Sequence, residues 1–124
     1  MKYIHTDKAP KVVGPYSQAV ATENLIFCSG QIGIDPVVGK LVEGIENQTH
    51  QVMKNIKNVL DASGRNFDQV AKTTIFLSDI ANYQIVNKIY ESYFNPEQVP
   101  ARSTVQVASL PAGALVEIEM IAVK

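Results

Sequence analysis

The sequence predicts an α+β domain in which one mixed sheet carries two helices on the same face. Three observations lead there. Apolar residues alternate with a period of about two near both ends of the chain, two stripes with a period of about 3.6 occupy the middle, and the resulting order is β-β-β-α-β-α-β-β. With 124 residues, 46% of them hydrophobic and 19% charged, the chain reads as a single domain over residues 1–124 that can bury a core of its own.

Taken in order, Tyr3 to His5 is a short first strand, followed by a loop from Asp7 to Lys11. Gly14-Pro15 fixes a turn that holds the Tyr16 ring and the Ser17 hydroxyl on stiff backbone. Ala19 to Thr22 and Leu25 to Ser29 are strands joined across Glu23-Asn24, a two-residue hairpin turn. The second runs into Ser29-Gly30-Gln31, where glycine lets another group come close to the backbone. Ile32 to Lys40 is a turn between short extended pieces, marked by Asp35-Pro36 and Gly39-Lys40.

Ile45, Val52, Met53, Ile56, Val59 and Leu60 form the stripe of a helix over 45–63, with Gly64 as its C-terminal cap. Val70 to Leu77 is a β-branched strand, and Ser78-Asp79 offers capping side chains to a second helix. That helix carries Tyr83, Val86, Ile89, Tyr90, Tyr93 and Phe94 on one side and ends before Pro96. Ser103 to Val107 and Leu115 to Val123 flank the turn signal Leu110-Pro111-Ala112-Gly113, which reads as an antiparallel hairpin.

An in-phase hairpin would place Arg102, Thr104, Gln106, Glu117 and Glu119 on one common surface, with Ile121 and Val123 at its apolar end. Helices on one face only leave the other face uncovered, and a monomer rarely exposes that much apolar sheet. The expected arrangement is therefore a closed homo-oligomer with this surface at or near a subunit boundary.

Arg102 is suited to grip a planar carboxylate with two parallel hydrogen bonds, or else to form a salt bridge with Glu117 or Glu119. Glu117, among apolar neighbours, can keep a raised proton affinity and act as a general base on water, or serve as a structural ion-pair member. Glu119 is the more structural of the two acids. Cys28 in an apolar strand reads as a buried, inert thiol. His5 and His50 have no ligand-spaced partners, so no metal site is expected. The tyrosine-rich stripe reads as core, with Asn87 one position off it as a polar group able to face a site. A net charge of −1 and scattered lysines and arginines leave no footprint for nucleic acid. The single cysteine, the absence of an apolar leader and the absence of any run near the roughly 20 residues that span a bilayer point to a cytoplasmic protein.

Gly14-Pro15-Tyr16-Ser17-Gln18-Ala19, Ser29-Gly30-Gln31-Ile32, Gln48-Thr49-His50-Gln51, Pro100-Ala101-Arg102-Ser103-x-Val105 and Val116-Glu117-Ile118-Glu119 together resemble the reactive intermediate deaminase family. This is the RidA or YjgF group, formerly labelled L-PSP endoribonuclease. The resemblance runs over nearly the whole chain. It implies a chorismate-mutase-like fold assembled as a homotrimer, barrel-like, with clefts between subunits.

It also implies hydrolysis of 2-imino acids, derived from enamines released by pyridoxal-phosphate dehydratases, to 2-oxo acids and ammonia. In that scheme Arg102 binds the substrate carboxylate and Glu117 positions or deprotonates the attacking water. Tyr16, Ser29, Gly30 and Asn87 match pocket positions, while Thr104 stands where many members carry cysteine. An iminium is already electrophilic, so a carboxylate clamp, a water and a base suffice, and no cofactor is expected. Two rival readings remain from the sequence: a small-carboxylate-binding regulatory module without turnover, and an endoribonuclease.

Overall fold

Alternation and helical periodicity become eight strands and two helices in a computed structural model that describes residues 1–124. In chain order they are β1 (Lys2–Ile4), β2 (Ala19–Ala21), β3 (Leu25–Ile32), β4 (Ile34–Asp35), β5 (Lys40–Leu41), α1 (Ile45–Ala62), β6 (Val70–Leu77), α2 (Tyr83–Glu91), β7 (Ala101–Gln106) and β8 (Val116–Val123). Six of the strands form one sheet in the order β1-β2-β3-β8-β6-β7, and β4 and β5 make a separate small pair. Only β6 and β7 run parallel, because α2 connects them as a crossover; the other pairings are antiparallel.

Both helices cover the same face. Val52, Met53, Ile56, Val59 and Leu60 of α1 pack with Val116, Ile118, Met120 and Ala122 of β8 and with Ile26, Ile75 and Leu77 in one buried cluster. Burying each large aliphatic side chain stabilises the fold by about 1.5–3 kcal/mol. Helix α1 stops where Gly64 takes a φ of 73°: the Gly64 amide donates to Asp61 and the Arg65 amide to Leu60, the paired bonds of a Schellman cap. Two amides then fix α1 to the sheet. Asn55 donates to the Ile32 and Ile34 carbonyls at 3.2 and 2.9 Å, and Gln48 accepts from the Leu115 amide at 2.8 Å.

The other sheet face is open, as expected from the helix count. Tyr3, Phe27, Val105 and Val123 are exposed there, with Glu117 and Glu119 among them.

The C-terminal hairpin does not form. Strand β6 lies between β7 and β8, paired with both, and the turn at Pro111–Gly113 belongs to a connection that passes over it. The physical reason lies in the residues. Strand β8 is apolar enough on both sides to sit centrally, whereas β7, with Arg102, Ser103, Thr104 and Gln106, suits an edge.

Register then decides the faces. Thr73 pairs with both Arg102 and Met120, and Ile75 with both Thr104 and Ile118, so Arg102 and Thr104 lie on the helix-covered face. Phe76 pairs with both Val105 and Glu117, and Thr74 with both Ser103 and Glu119, so the two acids lie on the open face. The expected common surface of Arg102, Thr104, Gln106, Glu117 and Glu119 is therefore split across the sheet.

Candidate active site

The candidate residues gather into two half-sites, one on each side of the sheet. The first is a cleft of about 380 Å³ lined by Tyr16, Gly30, Gln31, Ile32, Ala112 and Glu117, with the segment Pro10 to Val13 as its outer wall. Its floor is irregular backbone. Between Cys28 and Gln31 the register of β3 against β8 shifts by one residue, so that Ser29 and Gly30 form a bulge next to Glu117. A β-carbon built on Gly30 would lie 2.9 Å from Glu117 Cδ and 3.1 Å from its Cγ. Glycine at this position is what allows the carboxyl group to lie against the strand.

Burial raises the proton affinity of Glu117, and the like charge of Glu119 raises it further. Glu119 thus acquires an electrostatic influence on its neighbour, where the sequence reading left it structural. No lysine, arginine or histidine forms an ion pair with either acid; Lys57 pairs with Asp61, and the His5 ring lies 3.1 Å from the Asp7 carboxylate.

The loop that carries Tyr16 is tied down from below. The Ser29 hydroxyl donates to the Ser17 carbonyl at 2.6 Å, and the Ser29 amide to the Gln18 carbonyl. Ser29 therefore spends its proton on the loop and offers a ligand acceptor capacity only. Sequence reading overlooked Gln18, which is buried and accepts from the Thr6 amide at 2.7 Å while donating to the carbonyls of Thr6 and Pro10. These bonds hold the cleft's outer wall. The signal for it was present, since a glutamine entering an alternating strand needs buried partners.

The second half-site is a groove of about 320 Å³ lined by Asn87, Tyr90, Glu91, Val99, Pro100 and Arg102. Arg102 has no acidic partner, which removes the internal salt bridge as its role. It lies against Tyr83 and Tyr90 of α2 instead, two residues the sequence placed in the core. Tyr90 is indeed buried, while Tyr83 is half-buried against Arg102. Asn87 is half-buried beside them with no side-chain hydrogen bond. Thr104, two residues along β7 from Arg102, has a buried hydroxyl with no partner in the protomer. Gln106 belongs to neither half-site: it accepts from the Ile80 amide at 2.8 Å and braces the turn before α2.

The remaining candidates fall outside both half-sites. Cys28 is buried opposite Met120 with its thiol pushed up to about 12 by desolvation, as expected of an inert side chain. His50 is exposed and bonded to the Tyr93 hydroxyl at 2.7 Å, and His5 sits at the surface with Asp7. Nowhere do three His, Cys, Asp or Glu side chains converge as ligands for a metal ion.

A cleft with an ionisable carboxylate on one face and an unpaired, half-buried arginine on the other can do acid–base chemistry on a small anion, provided the two are brought together. The family model described as endoribonuclease L-PSP matches residues 6–124. Reactive Intermediate Deaminase A, chloroplastic, of Arabidopsis thaliana is 52% identical over 120 residues, covering 96% of the chain; the chain spans 64% of that protein's length. The 2-iminobutanoate/2-iminopropanoate deaminase of Mus musculus is 48% identical over 124 residues, covering 99% of the chain and 91% of its own length. The crystal structure of RidA from the Antarctic bacterium Psychrobacter sp. superposes with a TM-score of 0.97 at 42% identity over 100% of both chains.

Proposed function

Because the chain belongs to the endoribonuclease L-PSP family, in which its relatives include named imine deaminases, we propose that it hydrolyses 2-imino acids to 2-oxo acids and ammonia. The observation that carries the proposal for its site is the division of labour across the sheet. Arg102 and Glu117 are each half-buried and unpaired, yet they lie on opposite faces of one protomer. A second copy laid on the open face brings the arginine-bearing edge of β7 to the Glu117 cleft of its neighbour. The exposed apolar side chains of that face support such an assembly, and a closed homotrimer repeats the contact three times.

In this composite cleft Arg102 and Asn87 of one copy bind the substrate carboxylate, with Thr104 beside them. Tyr16, Ser29, Gly30 and Glu117 of the next copy hold the imine carbon and a water. The substrate reacts as its protonated iminium, C=NH2+: Glu117 takes a proton from that water as the new C–O bond forms at C2, and the electron pair of the C=N π bond moves to nitrogen, leaving a neutral amino group. Glu117 then returns the proton to nitrogen, the C–N bond breaks, ammonia leaves and the remaining hydroxyl proton passes to solvent. Burial and the charge of Glu119 raise the proton affinity of Glu117, which favours its taking the proton from water. No helix is long and apolar enough to cross a membrane. A reducing compartment such as the cytoplasm suits a protein whose one cysteine is a buried free thiol.

The test uses two inactive variants. Arg102→Ala and Glu117→Gln, each assayed alone with a serine or threonine dehydratase supplying the imine, lose ammonia release. Co-expressed in equal amounts, they regain about a quarter of wild-type activity, because a mixed cyclic trimer holds one intact Arg102–Glu117 pair. Co-assembled protein that stays as inactive as either parent refutes the shared cleft.

A further inference from the structure

Arg102 is held by more than its strand. Its Nη2 donates to the Tyr83 hydroxyl at 3.1 Å. Its guanidinium carbon lies 5.6 Å from the centre of the Tyr83 ring and 5.1 Å from that of Tyr90. Tyr83 and Tyr90 are two turns apart on α2, so both project from one side of the helix onto the edge strand. Tyr90 is itself immobilised: it is buried, and its hydroxyl lies 2.8 Å from that of the buried Thr73, the register partner of Arg102 on β6. The strand, one fixed ring and one hydroxyl thus meet at a single side chain.

An unrestrained arginine gives up about 2 kcal/mol of rotamer entropy when it is fixed. Here much of that ordering precedes any ligand. Of the five guanidinium N–H groups one is taken by Tyr83, and the others meet no carboxylate of the protein. Contact with two ring faces restrains where the guanidinium carbon sits but leaves the group free to rotate within its own plane. A hydrogen bond at one corner stops that rotation.

We propose that Tyr83 is a positioning residue for Arg102, its hydroxyl setting the direction in which the guanidinium presents its free N–H groups to the carboxylate of the incoming 2-imino acid. This rests on the carboxylate-binding role given to Arg102 above. A planar fork grips a carboxylate with two bonds only when the two groups are coplanar and aligned. Tyr83 does not reach the reacting atoms, so its contribution falls on binding and not on the chemical step.

Tyr83→Phe keeps the ring and removes only the hydroxyl. The expected result is a five- to ten-fold rise in KM, with a parallel rise in the Kd of 2-oxobutanoate, about the net effect of one ordinary hydrogen bond, since the guanidinium is misaligned and not lost. The turnover number stays within two-fold of wild type and the melting temperature is unchanged. In an Arg102→Lys background the same substitution shifts the Kd of 2-oxobutanoate by less than two-fold, because an ammonium group has no plane to align. Wild-type KM and Kd in Tyr83→Phe overturn the inference. So does a fall in turnover at constant KM, or an equal loss of affinity in both backgrounds.

Arg102→Ala separates this inference from the reading beneath it. If that variant retains wild-type affinity for 2-oxobutanoate, the carboxylate clamp itself falls. If it loses affinity while Tyr83→Phe does not, only the role of Tyr83 is removed.

Discussion

Gly30→Ala is the substitution whose consequences the structure separates most cleanly. The new methyl would meet Glu117 Cδ at 2.9 Å, and ordinary contact begins at 3.4 Å, so the carboxyl group must leave its place. What gives way is the end of a flexible side chain and not backbone. The stability lost is then that of an off-rotamer glutamate, about 1 kcal/mol. The catalytic loss is larger, since a base displaced by roughly 1 Å costs on the order of 100-fold in rate, or about 2.7 kcal/mol of transition-state stabilisation. In the proposed composite cleft Arg102 comes from the neighbouring copy, where Tyr83 and Tyr90 hold it, so a methyl that displaces Glu117 leaves the carboxylate clamp in place. The dehydratase-coupled ammonia assay should show turnover falling about 100-fold, with the melting temperature lowered by only a few degrees and the Kd of 2-oxobutanoate within about two-fold of wild type. A variant with wild-type turnover, or one destabilised by more than about 3 kcal/mol, would show that the Gly30–Glu117 approach does not set the position of the base.

Two more outcomes follow from the same geometry. Burial and the charge of Glu119 hold Glu117 above the usual carboxylate range, and a general base must be ionised. On the acid side, kcat/KM should therefore fall as the pH drops through that raised value; in Glu119→Gln the limb moves to lower pH but stays above the ordinary carboxylate range, since burial is the larger cause. An unmoved limb would assign it to another group. Phe27→Glu puts a charge on the open face, where Phe27 is 42% exposed and pairs with Ile121. Sedimentation should show dissociated protomers that keep their fold by circular dichroism and have lost more than about 90% of deamination, the size of effect expected when a charge is desolvated at an interface; an intact oligomer would move the interface elsewhere.

Much of the fold was legible because its signals are local. The α1 stripe from Ile45 to Leu60, the Gly64 cap, the β-branched run Val70–Leu77 and the turn at Glu23-Asn24 each depend on neighbours a few residues apart. The uncovered sheet face was also readable, since two amphipathic helices cover only one side. Arg102, Glu117 and Asn87 were legible as candidates from their residue types and spacing, and Tyr16 and Gly30 as pocket positions from the family resemblance. What they face was not.

Alternation states which residues of a strand share a side; it does not state which strand lies next to it or which side meets the core. The turn signal at Leu110–Gly113 suggested a hairpin, but the α2 crossover placed β7 parallel to β6, and β6 then separated β7 from β8. That one long-range pairing sent Arg102 under the helix and left Glu117 on the open face. It also made Gln18 and Tyr83 matter, because their partners, Thr6 and Pro10 for one and Arg102 for the other, are distant in the chain and adjacent only in the folded protein. The sequence by itself determined the elements and the chemical groups of this protein, since both reside in short stretches; only the tertiary structure decided which groups meet, since that depends on strand order and register across the whole sheet.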